Sequence, residues 1–412
     1  MKPKISRADR NRIRGQFPSL ASDTVFLENA GGSQVPAVVA DHIRDYMVTS
    51  YVQLGAGYPL SQRCTELVDE AHEFVRLLMN GNGGEVILGP STSALLQMLA
   101  NCYAGVLTPG SEIVVAQTGH EANVGPWKHL ARTGFELRWW KMDRDSFTCS
   151  LESLDELLND RTALVAFPHV SNLLGEIVDI RAITKRAHSA GARVVVDGVA
   201  FAPHRTMDVT DWDVDWYAYS TYKVFGPHMA ALWGRRDAVA ELQGPNHFFV
   251  PDNDLPYKFE VGGVNHEGCA GIRGLRQYLC FLADVDEPAA LDRAAVERAF
   301  EVMTACELPL QERLIQYLRS RDDVRIIGPE DDGPGRVGTI SFVHRSKSSA
   351  EITAAVDRSG IAIRHGHMYA YHLCEAAGLD PDDGVVRVSL VHYNTPEEIE
   401  RLITVLDQAL GS

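Results

Sequence analysis

Six short runs with almost no polar interruption recur between residues 85 and 235: EVILGP (85–90), EIVVAQ (112–117), TALVAFPHV (162–170), ARVVVDG (192–198), WYAYS (216–220) and AALWGR (230–235). A strand with one wetted face alternates apolar and polar residues, whereas a strand buried on both faces does not. Helical periodicity separates the earlier runs, at residues 65–79 and 91–104. Strands of this kind, spaced by helices, predict an α/β fold whose sheet is mostly parallel and covered by helices.

The rhythm changes near residue 285. A long helical pattern over 290–319 is followed by VRIIGP, the strand RVGTISFVH, a helix over 349–359, IAIRHG and VVRVSLVHY. PEDDGPGR (329–336) reads as a surface turn. The last helix opens at TPEEIERLITVLDQAL, where Thr395 and Glu398 have capping-box spacing and Pro396 takes the first helical position. The expected organisation is a large unit over 24–284 and a smaller α+β unit built from 1–23 and 285–412.

Composition narrows the function classes. The 412-residue chain carries a formal charge of −16, which disfavours non-specific nucleic-acid binding. No apolar run approaches membrane-spanning length, and the basic N-terminus lacks the apolar core of a secretory signal, so the expected location is the cytoplasm. The seven cysteines form no CxxC pair, which argues against a disulfide framework or a metal site.

Chemistry concentrates at two places. Asp197 follows three valines, at the carboxyl end of an expected central strand, where α/β sheets place their ligands. Lys223 stands in STYKVFGPH, a small polar turn between two apolar runs. A strand-end aspartate followed by such a lysine suits pyridoxal 5′-phosphate: the lysine bonds the aldehyde, and the carboxylate keeps the pyridine nitrogen protonated. GPSTSALLQMLA (89–100) then offers Ser91 and Thr92 at a helix start as a phosphate cradle.

From about residue 24 onward the chain resembles the class V aminotransferase and cysteine desulfurase family of fold-type-I pyridoxal-phosphate enzymes. FLENAGGSQVP, GHEANVGPW, HVSNLLGEI, VVVDGVAFAPH, STYKVFGPH, FEVGGVNHEG, IRHGHMYA and VVRVSLVHYNTPEE carry the resemblance, in order. It implies a homodimer with active sites at the subunit interface. It implies Lys223 as the Schiff-base lysine and proton shuttle, Asp197 on the pyridinium, His120 stacked on the ring, and Ser91, Thr92 and Ser220 on the phosphate. Asn172 falls near the cofactor hydroxyl and the substrate carboxylate. Arg387 is implied for the α-carboxylate, with Arg364 also on the substrate side.

Four departures stand out. The desulfurases carry a nucleophilic cysteine where this chain has Tyr369, and a tyrosine cannot accept sulfur as a persulfide. Their glutamine after the aspartate is Ala200 here. A phosphate-binding threonine from the neighbouring subunit is Gly263, whose backbone N–H could still serve, and Tyr222 stands where a histidine usually precedes the lysine. Ala200 and Gly263 make room, which predicts a bulky S-cysteine conjugate as substrate. The leading expectation is a carbon–sulfur lyase that releases thiol, pyruvate and ammonia, with Lys223, His120 and Tyr369 as catalytic groups. Relatives of this kind occur in secondary metabolism, including lincosamide assembly. The alternatives are decarboxylation-coupled oxidative deamination to an S-linked aldehyde, transamination or epimerisation. A non-catalytic partner subunit would have no need for the lysine.

Overall fold

The computed structural model describes residues 5–411. Residues 1–4 and 412, assigned above to the smaller unit, lie outside the described residues. Seven strands build the main sheet: β1 (Gly84–Gly89), β2 (Glu112–Ala116), β3 (Glu136–Trp140), β4 (Thr162–Pro168), β5 (Arg193–Asp197), β6 (Trp216–Ser220) and β7 (Ala230–Arg235). Their spatial order is β1-β7-β6-β5-β4-β2-β3. β7 runs antiparallel to both β1 and β6, and every other neighbour pair is parallel. All six apolar runs are therefore strands of one sheet. β3, whose residues are partly exposed, closes the edge.

Strand alternation explains the uninterrupted runs. Val114, Val165, Val194, Val196, Tyr217 and Tyr219 point into one apolar core. Ile113, Val115, Leu164, Val195, Trp216 and Ala218 point into a second, on the opposite face. Both faces are covered by helices, so neither parity can be polar. The helix Pro59–Leu78 buries Cys64, Leu67, Val68, Ala71, Phe74, Val75 and Leu78, a stripe at helical spacing against the first core. It begins at Pro59 rather than near residue 65, because proline at the first turn gives up an N–H that has no partner there anyway.

A second, antiparallel sheet uses β8 (Val324–Ile327), β9 (Thr339–His344), β10 (Arg364–Gly366) and β11 (Val385–Ser389), in the order β10-β11-β9-β8. Helices Arg293–Arg319, Ser349–Asp357 and Pro396–Leu410 supply its core with Leu310, Leu314, Ile352, Ile399 and Leu402. The capping box at Thr395 and Glu398 is formed. IAIRHG is not one strand. Ile361–Ala362 pairs in parallel with Val25–Phe26, and the chain joins the four-stranded sheet only from Arg364. Residues 329–335 form a partly exposed turn, but Arg336 is fully buried, where it donates to the carbonyls of Thr339 (2.7 Å) and Leu174 (3.4 Å).

This stitching places the site. The Val25–Phe26 pairing and a bridge from Glu28 to Ser389 carry the ENAGG segment to the end of β11. That end lies beside the carboxyl edge of β5 and β6, so three distant parts of the chain meet at one cavity.

Candidate active site

Asp197 is the last residue of β5 and is buried; Val199 N–H donates to its Oδ1 at 2.9 Å. Burial pushes its carboxyl up from the ordinary range, opposed by the Val199 N–H and by the positive charge of Lys223. Lys223 closes the single turn Thr221–Lys223 after β6. Its amine is held down to about 8, first by burial and then by Arg387, with Asp197 and Glu28 pulling the other way. Both residues line a narrow cavity of about 60 Å³, together with Ser91, Thr92, Ser220 and Ala200.

The far wall of that cavity suits an anion. Ser91 caps the helix Thr92–Ala104 by accepting from Ala94 N–H at 3.1 Å, which leaves its hydroxyl proton free. Thr92 and Ser220 share a hydroxyl–hydroxyl bond of 2.8 Å. The helix N-terminus adds unpaired N–H groups and the positive end of its dipole. Tyr222 lines the same cavity and stacks on His228 with centroids 4.4 Å apart.

A wider cavity of about 560 Å³ opens from it, shares Lys223, His120, Asn172 and Tyr222 with it, and is also lined by Arg387, Arg364 and Tyr369. Arg387 lies on β11, buried, and donates to the Asn172 carbonyl at 3.2 Å. Burial lowers it to about 10, with Arg364 adding repulsion and Glu28 opposing, so it stays charged at neutral pH. Two buried polar atoms here, Arg387 Nε and Asn172 Oδ1, lack a hydrogen-bond partner among the described residues. Buried polar groups are almost always paired. A bound hydroxyl and carboxylate would satisfy both, so the residues present fit pyridoxal phosphate together with an amino acid.

His120 follows β2 and is held neutral: burial, then Lys223 and Arg387, push its ring down to about 3. Its Nδ1 accepts from Ala122 N–H at 3.0 Å, so the ring proton sits on Nε2. Tyr369 lies against it, with ring centroids 5.3 Å apart, and its side of the cavity is open to solvent. The segment bearing Tyr369 is tied down through its backbone. Asn172 Nδ2 donates to the Met368 carbonyl and Glu121 N–H to the Tyr369 carbonyl, both at 2.8 Å. Met368 and Tyr369 have φ of 45° and 62°, the left-handed region that side-chain-bearing residues seldom adopt.

The structure thus gathers Lys223, Asp197, His120, Ser91, Thr92, Asn172, Ser220, Tyr222, Tyr369, Arg364 and Arg387 around two joined cavities. Gly263 is not among them. It lines a separate cavity of about 760 Å³ with Leu54, Tyr257 and His266. The sequence reading passed over Glu28, which holds Arg364 Nε at 2.7 Å. The available signal was Gly31: a Cβ there would lie 2.3 Å from Glu28 Oε1, so the glycine makes room for the carboxylate.

The family model for aminotransferase class V matches residues 25–402, and the chain belongs to that family. It is a pyridoxal-phosphate enzyme of the cysteine desulfurase-like kind. The chain is 37% identical to an aminotransferase-like protein of Gibberella zeae over 97% of its own length and 98% of that protein's. A cysteine desulfurase-like protein of Aspergillus flavus is 30% identical, covering 97% of this chain and 90% of the relative. Among solved structures, the Escherichia coli cysteine desulfurase superposes with a TM-score of 0.82 at 25% identity, covering 97% of this chain and 98% of that one.

Proposed function

We propose that the enzyme cleaves the carbon–sulfur bond of an S-substituted L-cysteine by β-elimination. One water is consumed, and the products are the thiol, pyruvate and ammonium. Pyridoxal phosphate bound between Asp197 and Lys223 supplies the sink for negative charge at Cα. Asp197, buried at the cavity floor, would hold the cofactor's ring nitrogen in its protonated form. Arg387 and Asn172 hold the α-carboxylate and so orient the Cα–H bond. Lys223, with its amine near 8, has a useful neutral fraction at physiological pH and removes the Cα proton. His120, held neutral, would cover the cofactor ring without placing a second charge on it. Tyr369 is the residue assigned to the departing sulfur.

One observation carries the reading. Among the described residues no cysteine lines either cavity. Cys374, in the helix Tyr371–Ala376, is fully buried, and burial pushes its thiol up to about 11. A persulfide acceptor must be an accessible, low-pKa thiolate. Elimination needs none.

The same proposal includes a homodimer, in which the exposed Met47, Val48, Tyr51 and Tyr58 and the exposed Phe248, Phe249 and Val261 meet a second copy. Gly263 would bring space to that interface but no free donor, because its N–H already donates to the Glu260 carbonyl at 2.9 Å. The test is a panel of S-substituted L-cysteines read by mass spectrometry, with Lys223→Ala as control. Free thiol and pyruvate, absent from the control, support the lyase. An S-linked aldehyde with loss of CO₂ and ammonia would replace it with oxidative decarboxylation.

A further inference from the structure

Arg364 and Arg387 stand directly opposite each other on neighbouring antiparallel strands, and both line the wider cavity. Like charges in that register repel, and the repulsion is felt at Arg387. One carboxylate, Glu28, answers both: it pairs with Arg364 Nε and offsets Arg387 through space. The substrate α-carboxylate neutralises one guanidinium on the reading above. The other, Arg364, is half-exposed at the rim, with Glu28 as its only ion-pair partner among the described residues. Glu28 meets Nε as an ion pair and not as a hydrogen bond, and the terminal nitrogens, which have no partner among the described residues, are available for a planar anion. Glu121 is the single acid lining this cavity.

We infer that the side chain of the substrate carries a second anionic group, which Arg364 binds while Arg387 holds the α-carboxylate. Arg364 is then a specificity-determining residue, and Glu28 positions it. A neutral or cationic S-substituent would leave the terminal nitrogens of Arg364 without an acceptor among the described residues. An anionic one would pair them. This inference rests on the amino-acid site described under the proposed function, but not on the bond that is cleaved there.

The test is binding. Lys223→Ala protein loaded with pyridoxal phosphate is titrated calorimetrically with matched acid and amide pairs: aspartate and asparagine, glutamate and glutamine, and S-carboxymethyl- and S-carbamoylmethyl-L-cysteine. The three spacers locate the second anion. In at least one pair the acid should bind about tenfold tighter than the amide, with the ratio falling as salt rises. Adding Arg364→Gln should bring that ratio close to one. Equal binding within every pair, or a preference that survives Arg364→Gln, would overturn the inference. No turnover is needed for these ratios, so failure to release thiol and pyruvate would count against the lyase reading alone.

Discussion

Replacing Lys223 with methionine should make the apoprotein more stable. The native lysine is half-buried, and its amine titrates near 8 instead of 10.5, mostly because burial disfavours the charged form. At ~1.4 kcal/mol per pH unit, that depression corresponds to about 3 kcal/mol of folding free energy forgone. The penalty is full below about pH 8, where the folded state must hold a buried ammonium. It shrinks as pH rises toward 10.5, because the unfolded chain then also loses the proton and its advantage disappears. Methionine keeps the stem and the volume without the charge. For a chain of this size 3 kcal/mol amounts to a rise of about 3 °C in Tm. Scanning calorimetry of wild-type and Lys223→Met apoprotein from pH 6.5 to 10 reads both the gap and its slope. A variant no more stable than wild type at pH 7, or a gap that does not narrow by pH 10, refutes the reasoning.

Three further substitutions separate site from scaffold. Asp197→Asn keeps shape and removes charge: turnover should fall by about 100-fold or more, with weaker cofactor retention after dialysis and little change in Tm, since the buried carboxylate is itself costly. Gly31→Ala drives a Cβ to 2.3 Å from Glu28 Oε1, the movable end of a side chain. The carboxylate should therefore swing away from Arg364, raising KM several-fold while the unfolding free energy changes by about 1 kcal/mol or less. Gly198→Ala, one residue after Asp197, meets the ring of Tyr217 at 2.1 Å in a fully buried position. Neither the ring nor the backbone can yield there, so loss of about 3 kcal/mol or more, seen as insoluble expression or a collapsed Tm, is expected.

The sheet was legible because burial on both faces leaves an unmistakable mark: TALVAFP and the three central valines of RVVVD have no polar parity. The direction of β7 was not legible. AALWGR looks the same in either sense, and only the short turn from Ser220 to Ala230 hints that the chain reverses. IAIRHG read as one strand because its apolar pattern is continuous, yet backbone pairing divides it between two sheets at Ile363. Arg336 lay hidden in a string of turn formers, since sequence pattern does not reveal a guanidinium buried against main-chain carbonyls, one of them, Leu174, far along the chain. In the site, Lys223 and Asp197 could be singled out by where they fall relative to strands. Glu28 could not, because its function depends on Arg364, more than 300 residues away, and on the absence of a side chain at Gly31.

The anchoring of the Tyr369 segment bears on where the chemistry can end. A residue that ferries an atom from one protein to another needs a tether long and loose enough to leave the pocket. Here the tether is bolted to the pocket wall at two successive carbonyls and held in two left-handed residues. Each bolt is worth about 1 kcal/mol, and both must open together before residue 369 can travel. Grafting a thiol by Tyr369→Cys would thus install cargo space without a vehicle. On the proposed β-elimination the thiol would depart by diffusion as a free small molecule, and handover to a partner protein would require a looser loop as well as a different side chain.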